Sequence, residues 1–153
     1  MSPGREQQQV AALRHGTVVD HLHAGMALKA LQVLGLPRKG AALLGIGLES
    51  GKMGRKDIMK LENVEISESE IEKLALFGPN ASVSFIRDYK VVRKVRVELP
   101  DVIHGILRCP NPNCITNSER LLETRFHVEA RQPLQVRCHY CERLISETEF
   151  ALA

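Results

Sequence analysis

The apolar positions of the first hundred residues follow two different spacings. Runs rich in β-branched and aliphatic residues predict strands, and they fall at 16–22, 40–48, 55–66, 81–86 and 89–99. Two segments between these runs carry apolar residues three or four positions apart. That spacing predicts helices over 24–35 and 67–79.

The first predicted helix places Leu28, Leu31 and Leu34 on one face, and stop signals follow at Gly35 and Pro37. We expect the leucine face to pack on a sheet. The turn residues at 50–54 join the second and third strands into a predicted hairpin.

The second predicted helix begins with Ser67 and Glu70 in capping-box spacing. It carries Ile71, Leu74 and Ala75 on one face and should end at Gly78 and Pro79. The order β-α-β-β-α-β with one further strand is typical of a ferredoxin-like split-βαβ fold, in which two helices cover an antiparallel sheet. The predicted class is therefore α+β.

The pattern changes at "LPDVIHG", residues 99–105, where we place a boundary between a first domain at 1–100 and a second at 101–153. Alternating residues predict strands over 125–131 and 134–138, with Pro133 in the turn between them. We expect a small all-β, zinc-ribbon-like domain with its cysteines in loops at one end.

The composition limits the class of protein. Hydrophobic residues make up 44% and charged residues 25% of the 153 positions, as in an ordinary globular protein. The start of the chain lacks the basic and apolar regions of a signal peptide, and no apolar run is long enough to span a bilayer, so we expect a cytoplasmic protein without a membrane partner. A net charge of +3 does not by itself indicate a nucleic-acid partner.

Four cysteines form two close pairs, C-x4-C at Cys109 and Cys114 and C-x2-C at Cys138 and Cys141. Two such loops can place four thiolates around one tetrahedral ion, which favours one structural zinc per chain. Four protein ligands leave no open position for a substrate, so a catalytic zinc is disfavoured. The spacing alone leaves an iron–sulfur cluster open, whereas disulfides require an oxidising compartment. His139 is expected to be a loop residue rather than a ligand.

Several charged residues of the first domain could meet on one small surface of the predicted sheet. Alternation along "YKVVRKVRV" puts Lys90, Lys94 and Arg96 on one strand face, and the other candidates are Lys60, Asp20 and His21. Lysines suit phosphate groups and an Asp accepts from ribose hydroxyls. Basic residues on an edge strand also simply keep it soluble, and that alternative stays open.

The sequence offers no catalytic constellation. "GIGLESGK" has the wrong spacing for a phosphate-binding P-loop, and Met53 stands where Ser or Thr is required. A zinc-ribbon nucleic-acid-binding protein is the alternative function. Aromatic residues at 4% argue against it, because single-strand binders stack bases on aromatic rings.

Four linked motifs carry a family resemblance: "RHGTVVDHL", "SGKMGRKDIMKLEN", "LALFGPNASVSFIRDYKVVRK" and "CPNPNCIT…CHYCE". In this order they resemble the regulatory chains of aspartate carbamoyltransferase, which act in pyrimidine biosynthesis. The resemblance implies a noncatalytic subunit whose first domain binds CTP, UTP or ATP as allosteric effectors, with Mg as an optional companion. It also implies a regulatory-chain dimer within a hetero-oligomer, whose zinc domain docks on the catalytic chain.

The resemblance also implies which residues form these sites. Lys60 would contact the ribose and base, Asp20 the sugar, and Lys94 and His21 the phosphates. The remaining nucleotide-site residues would be Ala12, Leu13, Val18, Ser84, Ile86, Tyr89 and Val91. Ser84 is a departure, because the family often has Asn there, and this bears on effector choice.

The resemblance implies a docking surface beside the cysteines as well. Asn111, Asn113 and Glu142 would meet the catalytic chain.

Overall fold

The computed structural model describes residues 13–36 and 39–153, so Ala12 and Pro37 lie outside the described residues. The chain divides into two compact units between Glu98 and Leu99. In the described ranges, no helix is long and apolar enough to cross a membrane.

The first unit is built on a five-stranded antiparallel sheet in the order β2-β3-β1-β4-β5. Among its described residues, helices α1 and α2 follow β1 and β3 in the chain. This is the predicted ferredoxin-like arrangement, with β5 added beside β4. The strands are β1 Gly16–His23, β2 Ala42–Ser50, β3 Gly54–Glu62, β4 Ser82–Arg87 and β5 Lys90–Arg96.

One face of this sheet forms the core of the unit. Thr17 is paired with Leu61 on β3 and with Phe85 on β4. Two residues further along β1, on the same face, Val19 is paired with Met59 and Val83. All six side chains are buried, because paired residues of antiparallel strands point to the same face. The alternate residues Val18, Lys60 and Ser84 are more exposed and lie on the opposite face of the sheet.

Helix α1, Ala27–Val33, buries a different face from the predicted one. Ala27 and Ala30 are fully buried, whereas Leu28 is 50% exposed, so the leucine-face prediction is wrong. Two alanines supply the inward surface of this short helix. Gly35 follows with φ 65, a left-handed conformation that ends helices and suits glycine.

Helix α2, Glu68–Leu74, has the predicted start. The Ser67 hydroxyl accepts from the Glu70 N–H at 3.2 Å, and the Glu70 carboxylate accepts from the Ser67 N–H at 3.1 Å. The predicted face of Ile71, Leu74 and Ala75 is buried. The α-helix ends before Gly78, because the Leu76 and Phe77 N–H groups bond carbonyls three residues back and tighten the chain into turns.

The second unit is a four-stranded antiparallel sheet in the order β6-β7-β8-β9. Two of its strands, β7 Arg125–Arg131 and β8 Leu134–Cys138, confirm the predictions, and the others are β6 Val102–His104 and β9 Leu144–Ser146. Each strand contributes at least one fully buried side chain to the core, among them Ile103, Phe126, Val136 and Ile145. One cysteine pair lies between β6 and β7, and the other begins at the last residue of β8.

Candidate functional site

The four cysteines converge on one point of the second unit. Their sulfur atoms all lie within 4.8 Å of one another. The Sγ atoms of Cys109 and Cys141 are 3.6 Å apart, and those of Cys114 and Cys138 are 3.7 Å apart. A tetrahedral ion with Zn–S bonds of about 2.3 Å separates its sulfurs by roughly 3.8 Å. The donor set and its spacing therefore fit a four-thiolate metal site.

The surroundings of the sulfurs shift their pKa values in different directions. Burial raises the pKa of the Cys109 and Cys138 thiols above the ordinary value. Burial acts in the same sense on Cys141, but hydrogen bonds from the Asn111 side chain and the Arg143 backbone help bring its pKa down to about 7. Because a metal binds thiolates, it must displace the protons of the raised thiols, and its affinity should weaken in acid.

His139 lies between two of these cysteines but takes no place in the sulfur cluster. Its Nδ1 atom lies 2.9 Å from Nε2 of His127, and the two rings contact each other at a centroid distance of 5.2 Å. This agrees with its prediction as a loop residue.

The three residues expected to meet a partner chain differ in how they are held. Asn113 and Glu142 are exposed, and Glu142 has a left-handed backbone with φ 65. Asn111 is only partly exposed, and its side chain accepts from the Asn113 N–H at 3.0 Å. Asn111 therefore belongs to the loop that shapes the metal site.

On the first unit, the register brings four of the expected nucleotide-site residues into one row. Val18 is paired with Lys60 on one side and Ser84 on the other, and Ser84 is paired with Lys94. All four point away from the buried face, since their strand neighbours Thr17 and Val19 point into it. Burial lowers the pKa of Lys60. The row thus holds a lysine at each end with small side chains between.

Next to this row, Asp20 and His21 occupy a bulge of β1. The pairing of β1 with β3 shifts between Val19 and Leu22, and His21 takes a φ of 62. The Asp20 carboxylate accepts from the His21 N–H at 2.7 Å and lies 2.9 Å from the Lys56 ammonium.

Lys56, which our sequence reasoning missed, has a side chain only 3% exposed. Its position four residues before Lys60 on the same strand was an available signal, because even spacing puts both on one face.

The remaining expected residues lie at the opposite end of the β1–β4 pair. Ile86 is paired with Gly16 and with Val91, and Tyr89 is 65% exposed in the turn that joins β4 to β5. The Leu13 side chain lies close to Gly16: a Cβ atom at position 16 would be only 3.0 Å from Cδ2 of Leu13. A cavity of about 320 Å³ opens here, lined by His15, Gly16, Asn63, Val64, Glu65, Phe85, Ile86 and Arg87.

The structure corrects the prediction that Lys90 shares a strand face with Lys94 and Arg96. Lys94 and Arg96 pair with Ser84 and Ser82, on the exposed face. Lys90 pairs with Arg87, which lies on the opposite face of β4 from Ser82 and Ser84. A shift of register between Phe85 and Ile86 is the cause, because the extra residue of a bulge reverses the alternation beyond it.

Comparison with known proteins gives matches along nearly the whole chain. Residues 8–98 match the domain family described as aspartate carbamoyltransferase regulatory chain, allosteric domain, and residues 101–151 match the metal binding domain of the same chain. A Pyrococcus abyssi protein named aspartate carbamoyltransferase regulatory chain is 55% identical over 144 residues, covering 92% of this chain and 94% of its own length. Proteins of the same name from Thermococcus kodakarensis and Methanocaldococcus jannaschii are 49% and 40% identical, each covering 95% of this chain and 97% of its own length.

Proposed function

Because the chain belongs to the family of aspartate carbamoyltransferase regulatory chains, and is a noncatalytic subunit with an allosteric and a metal-binding domain, we propose how it regulates. The first unit binds CTP, UTP or ATP on the exposed face of its sheet. The second unit binds one structural zinc and docks on the catalytic chain. The observation that carries the effector part is the cross-strand row from Lys60 to Lys94.

The chemistry of that row suits a nucleoside triphosphate. Lys94 is exposed on the sheet face and offers a charge to the phosphates, and His21 in the adjacent bulge offers a second polar group. Asp20 is oriented by Lys56 and can accept from a sugar hydroxyl. Lys60, whose burial lowers its pKa, would contact the ribose and base in the partly desolvated part of the surface.

Two features bear on which base is bound. Ser84 stands in the middle of the row, where its hydroxyl can donate or accept one hydrogen bond. The apolar residues Leu13, Ile86 and Val91 would flank the base at the end of the β1–β4 pair, together with Ala12.

A Mg ion bound to the phosphates would add to the charge that the lysines supply.

Titration calorimetry of the purified chain with CTP, UTP and ATP tests the effector proposal. We expect binding to the wild type and at least about a tenfold loss in Lys60→Ala and Lys94→Ala, since a charge-assisted hydrogen bond contributes about 1.5–3 kcal/mol. Lys52→Ala, at an exposed position in the turn between β2 and β3, is the matched control. Wild-type chain that shows no heat at millimolar nucleotide would rule the proposal out.

The docking proposal depends on the two cysteine loops, whose conformation the metal would hold. Asn113 and Glu142 are exposed on the two cysteine loops and can bond polar groups of the catalytic chain. A small unit of this kind draws much of its folding energy from zinc, with about 10–16 kcal/mol of apparent binding energy in zinc-finger peptides. A chelator or a thiol-blocking mercurial should therefore release this chain from its partner. A complex that survives quantitative zinc loss would contradict the docking role.

We also propose that two such chains pair within the hetero-oligomer. Strand β2 lies at the edge of its sheet and exposes Leu43 and Ile46 at 48% and 57%. An edge strand with exposed apolar side chains can pair with a second strand. The assembly would act in the cytoplasm, where the reduced cysteines can bind metal.

A further inference from the structure

A polar residue just after the C-x4-C loop is used by neither the zinc nor the docking proposal. Asn117 lies at the end of the 3₁₀ turn Ile115–Asn117, three residues after Cys114. Its side-chain amide donates to the Cys109 carbonyl at 2.8 Å and to the Asn111 carbonyl at 2.7 Å. One amide group therefore bonds two backbone carbonyls of the loop that carries two of the four sulfurs.

The backbone of Asn117 joins the loop from its other end. Its N–H donates to the Cys114 carbonyl at 3.0 Å, and the Cys114 N–H donates to the Asn111 carbonyl at 3.0 Å. Asn117 is thus bonded to the first cysteine, to the second cysteine and to Asn111 between them. The relative position of the Cys109 and Cys114 sulfurs depends on this loop, because both side chains extend from its backbone.

Asn111, one of the residues that Asn117 bonds, lies in the turn between the two cysteines of this loop. Its side chain accepts from the Asn113 N–H at 3.0 Å, and its carbonyl also accepts from the Cys114 N–H. By bonding the Asn111 carbonyl, Asn117 restrains the turn that leads from Cys109 to Cys114. Groups outside the ligand set that orient the ligands commonly alter metal affinity by about 10–100-fold.

We propose that Asn117 is a positioning residue of the metal site, and that its amide holds the C-x4-C loop in the geometry that presents Cys109 and Cys114 to the ion. It acts through the loop backbone and does not touch the metal. The inference rests on the structural zinc proposed above. Loss of the amide should speed the release of zinc and distort the coordination.

The test uses the full-length chain and two substitutions that remove the amide donors. Asn117→Leu has a similar shape and is also uncharged, but it lacks the amide group. Asn117→Asp has the same size, but its carboxylate has no N–H group to donate. We expect both to release zinc about tenfold faster than the wild type in the presence of a chromogenic chelator. Ser118→Ala is the matched control, because its hydroxyl bonds the Ile115 carbonyl at 3.2 Å in the same turn without reaching the cysteine loop.

A spectroscopic measurement separates positioning from general destabilisation. Cobalt-loaded protein should show altered thiolate-to-metal charge-transfer bands in both Asn117 variants and unchanged bands in Ser118→Ala. Asn117 variants that release zinc at the wild-type rate and show wild-type spectra would overturn the inference. It would also be overturned if Ser118→Ala had the same effect as the Asn117 variants, or if Asn117→Asp had an effect and Asn117→Leu had none. A wild-type chain that contains no zinc would instead overturn the underlying zinc proposal. A variant that takes up no metal while Ser118→Ala loads normally supports the inference.

Discussion

At the scale of single residues, Lys60 carries a charge that its surroundings disfavour. It is partly buried on the exposed face of the sheet, and this burial lowers its pKa below the ordinary 10.5. Only the protonated ammonium attracts an anionic ligand. Affinity for a nucleoside triphosphate should therefore be highest below the pKa of Lys60 and fall as the pH rises through it.

This pH dependence should become weaker when the titrating amine is replaced. Lys60→Arg keeps its charge throughout the accessible range, so we expect its affinity to decline less as the pH rises, whatever its affinity at neutral pH. Calorimetry at increasing alkaline pH measures both profiles, with Lys52→Ala as the control that retains the wild-type shape. Parallel profiles for the wild type and Lys60→Arg would show that Lys60 does not titrate at the binding surface.

At the scale of elements, Asp57 joins three parts of the first unit. It is fully buried on β3, and its two carboxylate oxygens accept three backbone N–H groups. Gly25 and Ala27 donate at 2.9 Å from the turn and start of α1, and Gly47 donates at 2.9 Å from an irregular part of β2. One carboxylate therefore links α1 and β2 to β3.

We expect Asp57→Ala to lower the free energy of unfolding by about 3 kcal/mol, because each buried donor left without a partner costs about 1–3 kcal/mol. Urea denaturation followed by circular dichroism measures the change. Glu65→Ala is the control, since its ion pair with Arg87 is exposed and should contribute less than about 1 kcal/mol. Equal midpoints for the wild type and Asp57→Ala would disprove the linking role.

The elements also show which signals in a sequence are local. The capping box of Ser67 and Glu70 involves neighbours in the chain, and it begins α2 as predicted. The inward face of α1 depends instead on what packs against it, and there Ala27 and Ala30 are buried in place of Leu28. Strand β3 ends at Glu62 rather than 66, because Asn63 adopts a left-handed φ of 55 that the apolar pattern did not indicate.

At the scale of the whole molecule, the two candidate sites share no residues. The described nucleotide-site residues all precede Glu98, and the four cysteines all follow Leu99. The first unit has its own buried core of paired strand residues, so we expect it to fold without the metal. Binding of nucleotide and binding of metal should therefore be separable.

We expect a full-length chain stripped of metal to keep nucleotide affinity within about twofold of the untreated chain while losing its structure near the cysteines, because zinc-dependent units unfold without metal. Calorimetry reports the first property and proteolysis between residues 105 and 150 the second. Readdition of zinc is the control for damage by the chelator. Loss of nucleotide binding on chelation, restored by zinc, would show that the first unit requires the second.

The sequence by itself determined the properties that depend on spacing along the chain. The order of strands and helices in the first unit, the capping box and the four-thiolate ligand set follow from periodicity, local hydrogen bonding and the short reach between paired cysteines. Tertiary structure decided what depends on residues distant in the chain: the row from Lys60 to Lys94, the buried Lys56 beside Asp20, and the bulge that turns Lys90 away. The reason is that strand register and bulges arise from pairing between segments, and a single segment does not specify its partner's alignment.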